Sequence, residues 1–151
     1  MKWWIAGGGW IVAVLTVWIG YQERTKAREQ ERLQQTLQYF TGGTQKRSVG
    51  IALIEGVWRH KPQYLDILLP VIANQFVYLL VTTDSEDEAH EERNLVRLYN
   101  LLAEMPGRTV QQRHYFCDVL DAIEKKVDGE ERGLKMTPQT LTIWRKTLDD
   151  A

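Results

Sequence analysis

The chain has little cysteine, serine or histidine. It has a single cysteine, Cys117, so no intramolecular disulfide framework can form. Its neighbours Phe116, Val119 and Leu120 predict a buried, inert thiol. Ser48 and Ser85 are the only serines, and neither sits in a Gly-x-Ser-x-Gly elbow. The histidines His60, His90 and His114 are dispersed, and no His-Glu-x-x-His motif or repeated Glu-x-x-His pair is present. Glu86, Asp87 and His90 are close enough to share an ion, but an acidic run at the start of a helix reads as a solvated surface. No cofactor and no metal is expected. The formal net charge is −1, and no basic stripe is expected. Both argue against nucleic acid as a partner.

What the chain does have is an uncharged run from Trp3 to Tyr21, WWIAGGGWIVAVLTVWIGY. At about 1.5 Å per residue it just spans a hydrocarbon core of roughly 30 Å. Trp3 and Trp4 mark one end, Trp18 and Tyr21 the other, where amphipathic rings settle at the headgroup level. The run is long for a signal-peptide core, and no small-x-small pair closes it, so an uncleaved signal-anchor is expected. Gly9, Ala13, Thr16 and Gly20 share one helical face, a small-residue pattern through which two spans can associate into a homo-oligomer. Arg24, Lys26, Arg28 and Arg32 follow the run and only Lys2 precedes it. That bias predicts a single-pass protein of the cell or inner membrane with its bulk in the cytoplasm.

The remainder has helical periodicity nearly throughout, with no alternating strand pattern. Residues 22–43 read as a charged connecting helix with a seam of Leu33, Leu37 and Phe40, closed by Gly42-Gly43 in a left-handed cap. Thr44 is placed to cap a helix over 45–59 in which Ile51, Leu53, Ile54, Val57 and Trp58 predict burial on several sides. Pro62 opens the apolar stretch 63–82, where Pro70 predicts a kink or a fresh helix start. Helices follow over 86–105 and 109–127, with capping boxes at Ser85/Glu88 and Thr109/Gln112 and a stop at Pro106-Gly107. Residues 128–136 read as a linker, and 137–151 as a terminal helix with Leu141, Trp144 and Leu148 on one face. The expected architecture is all-α: a transmembrane anchor (1–21), then a compact bundle or short α-solenoid-like domain (44–127) and the C-terminal helix.

The segment Lys46-Arg47-Ser48-Val49-Gly50-Ile51-Ala52-Leu53-Ile54-Glu55-Gly56, followed by Leu65-Asp66-Ile67-Leu68-Leu69-Pro70, resembles a helical hairpin of HEAT or armadillo type. A second, poorer copy runs through Asn94–Met105 and Val110–Val127. The resemblance covers about 44–127 and implies a protein-binding surface rather than catalysis.

Three functions are compatible with this reading. The first is a membrane-anchored helical adaptor for a protein partner, which is not an enzyme. The second is a small accessory subunit of an integral membrane complex, recruited through the Gly9-Ala13-Thr16-Gly20 face. The third is a membrane-tethered enzyme with Glu55, Asn74 or His114 in a pocket. Asn74 and Gln75 oppose a second membrane span over 67–81 and, with Glu55 and Tyr78, form a candidate polar patch. Glu55 lies in an apolar helix, and Arg47 or Arg59 are its candidate partners. Leu141, Trp144 and Leu148 form either a partner or bilayer contact or a docking face on the helical core, with docking favoured because so short a helix is marginal alone.

Overall fold

The computed structural model describes residues 4–82, 87–105, 113–128, 134 and 136–150, with side chains from Tyr21 onward except that of Thr82. Among these residues the chain is all-helical, with six α-helices and no strand. It divides into two compact units, Met1–Thr36 and Leu37–Ala151.

The first unit is the greater part of one helix, α1, which runs unbroken from Trp4 to Tyr39. The uncharged run and the charged stretch after it therefore share one backbone helix. Its end differs from expectation. Phe40, Thr41 and Gly42 donate in turn to the carbonyls of Leu37, Gln38 and Tyr39, three i→i+3 bonds that tighten the last turn. Gly43 is then extended, with φ −70° and ψ −178°, not left-handed.

The second unit contains α2 (Thr44–Leu53), α3 (Leu65–Thr82), α4 (Glu88–Glu104), α5 (Arg113–Val127) and α6 (Pro138–Asp150). Its centre is α3. Leu68, Leu69, Ile72, Ala73, Phe76, Leu79 and Leu80 are all buried, and α3 packs against both α4 and α5. The helix passes through Pro70 without ending, and a 3-10 turn, Pro62–Tyr64, leads into it. Pro70 lies one turn from the start, so the one carbonyl that loses its helical donor is that of exposed Asp66. Over Pro62–Val81 this element is apolar and long enough to cross a membrane. The core helix of a water-soluble unit meets the same description, and here most of the apolar stripe is covered by neighbouring helices.

Helix α2 buries one face, not several. Ile51, Ile54 and Trp58 are inside, whereas Val49 and Val57 are exposed. The reason lies in the turn that extends α2: Ile54–Trp58 is π-helical, with Arg59 N–H donating to Ile54 O at 2.8 Å. Such a turn advances less than the α-helical 100° per residue, leaving Val57 short of the buried side. Gly50 is required by close approach: a Cβ there would stand 2.9 Å from the Phe40 ring and 3.1 Å from Tyr39 Cβ.

Helix α6 closes the unit against α5 and α4. Thr137 Oγ1 accepts from Thr140 N–H, and Pro138 occupies the first turn, where it loses no helical bond. Leu141, Trp144 and Leu148 are all buried. The Trp144 indole stacks on Tyr99 at 4.4 Å and 11° and meets Phe76 at 5.8 Å. These three residues are therefore core, which is the docking alternative and not the partner or bilayer contact. Leu134, inside the expected linker, is buried too. Cys117 is exposed, contrary to expectation, because the buried stripe of α5 runs through Phe116, Val119, Ala122 and Ile123 and misses it.

Trp144→Ala is expected to destabilise this unit by about 3–5 kcal/mol, the cost of a cavity in place of a large buried ring. Thermal or urea unfolding followed by circular dichroism checks this; an unchanged midpoint would contradict the packing of α6.

Candidate functional site

Helices α2, α3 and α4 meet at a buried polar cluster. The stripe that carries Ile51, Ile54 and Trp58 begins with Arg47, one turn earlier on the same face. The stripe of α4 that carries Leu98 and Leu102 begins with Glu91 and Asn94. Packing two apolar faces thus brings a guanidinium and a carboxylate together out of water: Arg47 is 7% exposed and Glu91 2%. Arg47 Nη1 donates to Glu91 Oε1 in a short ion pair. Its Nε donates to Gln75 Oε1 on α3 at 3.0 Å, and its guanidinium lies 5.5 Å from the centre of the Tyr78 ring.

Glu91 is satisfied further. Thr44 Oγ1 donates to Oε1 at 2.8 Å, and Asn94 Nδ2 donates to Oε2 at 3.1 Å. Ser48 Oγ donates to Asn94 Oδ1 at 2.7 Å. Thr44 thus opens α2 without capping it; its hydroxyl is committed to α4. One turn along, Arg97 grips Glu55 through Nε and Nη2, the latter at 2.6 Å, and donates from Nη1 to Ser48 O. Arg97, not Arg47 or Arg59, is therefore the partner of Glu55. Arg59 pairs with Glu104 at 3.2 Å on the surface.

The expected polar patch is partly assembled. Gln75 and Tyr78 gather round Arg47, Asn74 is exposed, and Glu55 belongs to the separate pair with Arg97. His60, His90 and His114 are all exposed. Neither groove described below holds Glu55, Asn74 or His114. Among the described residues no group of three His, Cys, Asp or Glu is placed to hold a metal ion. Tyr21 is 71% exposed. The side chains of Trp3, Trp4, Trp18, Gly9, Ala13, Thr16 and Gly20 lie outside the described residues, as do Ser85, Glu86, Pro106, Gly107, Thr109 and Gln112.

Two of the grooves on this unit are lined by described residues. One, of about 530 Å³, runs between α4 and the start of α6. Glu92, Arg93, Val96 and Arg97 line it on one side and Met136, Thr137 and Thr140 on the other. Val96 is 40% exposed within it. The other, of about 280 Å³, is lined by Arg59, His60, Leu65, Leu101, Glu104 and Met105. Arg97 joins the larger groove to the buried cluster through Ser48, whose carbonyl accepts from Arg97 Nη1 and whose hydroxyl donates to Asn94. The arrangement offers an apolar floor with donors around it.

Comparisons with known protein families, curated proteins and solved structures yield no match.

Removing one member of the buried pair leaves the other charged and unpartnered in the core. Glu91→Leu or Arg47→Met alone is expected to cost about 3–5 kcal/mol, whereas the double variant is expected to cost much less than their sum. Urea denaturation of the four proteins closes the cycle, and additive costs would show that the two side chains do not act as a pair. Arg97→Ala, which breaks a pair about one-third exposed, is expected to cost at most about 1 kcal/mol after screening.

Proposed function

We propose that this protein is a single-pass membrane-anchored adaptor whose helical unit binds a protein partner at the membrane surface. The observation that carries the reading is the uncharged run Trp3–Tyr21, continued in one helix to Tyr39. Such a helix ties a folded unit to a bilayer and confines its search for a partner to a surface, raising effective concentration. The resemblance to HEAT and armadillo hairpins enters this reading from the sequence; in the folded unit α3 packs on α4 and α5, and α2 packs on α4. In this reading Arg47, near the start of the first helix, cross-links neighbouring hairpins, and α6 covers the end of the pair as a cap. Stacked hairpins of this kind present extended faces to other proteins. The α4–α6 groove is the partner-binding face proposed here, with an aliphatic side chain of the partner on Val96 and its carboxylates near Arg93 and Arg97.

A chain beginning at Glu23 is expected to be soluble and to unfold cooperatively, whereas the full chain resists alkaline extraction from membranes. The exposed Cys117 makes the native chain its own topology reporter. With the bulk inside, an impermeant maleimide labels it only after the cells are permeabilised; labelling of intact cells would place the unit outside. Affinity isolation from membranes tests the groove. Val96→Arg with Thr140→Arg is expected to lose the partner while leaving the melting temperature unchanged, and full retention would reject this face. Exchanging residues 3–21 for an unrelated span separates the adaptor from an accessory subunit, because only the subunit loses its complex.

A further inference from the structure

On α1, Arg24, Arg28 and Arg32 recur every four residues and form one stripe beside Tyr21 and Thr25. Together with Glu29 these residues border a groove of about 350 Å³ along the helix surface. All three arginines are exposed, and none of the ion pairs among the described residues involves them. The linear sequence hides the stripe because Glu23, Glu29 and Glu31 are interspersed with the cations. Helical geometry separates part of that mixture. Glu23 lies about 100° round the helix from Arg24 and Glu29 about 100° from Arg28, whereas Glu31 falls on the stripe between Arg28 and Arg32.

We infer that this stripe is a binding surface for the headgroups of anionic phospholipids in the leaflet next to the anchor, an inference that rests on the anchor reading. At about 1.5 Å per residue, Arg24, Arg28 and Arg32 stand about 4, 10 and 16 Å beyond Tyr21 along the axis. The headgroup layer is roughly 5–7 Å deep. Arg24 therefore lies within it, and Arg28 just outside. The direction of the chain then matters. Every Cα–Cβ bond of an α-helix tilts toward the helix N-terminus, so side chains that follow a span lean back toward the bilayer. The long side chain of Arg28 reaches the phosphate level, and its planar guanidinium takes a phosphate oxygen pair in two parallel bonds. Arg32 leans to within about a Debye length, roughly 8 Å, of the surface, where attraction persists but is screened. Tyr21, an amphipathic ring at the same level, sets the depth. Thr25 Oγ1 donates to Tyr21 O at 2.8 Å, which folds the polar side chain between the arginines back on the helix.

The full chain, reconstituted in nanodiscs of equal parts phosphatidylcholine and phosphatidylglycerol, gives the test. Native mass spectrometry counts the lipids that stay bound on release. Phosphatidylglycerol is expected to be enriched over phosphatidylcholine by about fivefold for each arginine within reach. Arg24→Gln/Arg28→Gln/Arg32→Gln is expected to abolish the preference, while Lys26→Gln, on the opposite side of the helix, preserves it. Alkaline extraction of the same proteins from vesicles reads the anchor separately. Full membrane retention with equal amounts of the two lipids, or with a preference that survives the triple substitution, overturns the headgroup surface and leaves the anchor standing. A chain extracted from vesicles overturns both.

Discussion

The ion pair between Arg47 and Glu91 sets the terms on which α2, α3 and α4 can pack. A guanidinium and a carboxylate removed from water are costly unless each meets the other and their remaining donors and acceptors are filled. Thr44, Gln75 and Asn94 fill them here, one from each of the three helices. A slide of α2 along α4 by one turn would strand both charges. An apolar interface tolerates such a slide at modest cost, but this one does not. The pair adds little to net stability compared with a hydrophobic replacement, and its contribution is to register. The Glu55–Arg97 pair repeats the constraint one turn away at lower stakes, since water still reaches it.

Register matters because the outer surface is built from the same helices. Arg97 serves both sides: its guanidinium holds Glu55 and its flank borders the groove between α4 and α6. The groove geometry therefore follows from the buried cluster. Helix α6 completes the groove only because Trp144 is held on Tyr99 and Phe76. A face assembled from parts so distant in sequence is absent from any single segment of the chain.

Much of the architecture is legible in the sequence for a physical reason. Long amphipathic stripes such as Leu68–Leu69–Ile72–Phe76–Leu79–Leu80 specify both helix and buried face, and the structure reproduces them. The helical character of 65–82, 88–104, 113–127 and 138–150 follows from the same signal, and that of 4–39 from an uncharged run continued by a charged helical stretch. What is not legible depends on geometry that periodicity omits. The π-helical turn at 54–58 takes Val57 out of the core, and Cys117 sits one step off the buried stripe of α5. Glu55 pairs with Arg97, 42 residues away, where local reasoning looked to Arg47 and Arg59. A usable signal for the buried cluster was present. Arg47, Glu91 and Asn94 each occupy a position on an otherwise apolar stripe, and a polar residue there must find a partner across the interface.

The placement of the tryptophans has an optical consequence. Four of the six belong to the uncharged run, at positions 3, 4, 10 and 18, which leaves Trp58 and Trp144 as the only indoles of the helical unit. They sit in different surroundings. Trp58, at the end of α2, has Tyr64 edge-on at 5.1 Å and the Lys61 ammonium 5.0 Å from its ring centre. Trp144 lies flat on Tyr99 at the far end of the chain. A charge over one ring and a stacked phenol on the other give the two emitters different spectra. Light from a chain without residues 1–22 therefore reports on the α2 side and the α6 side of the same core, with no label added.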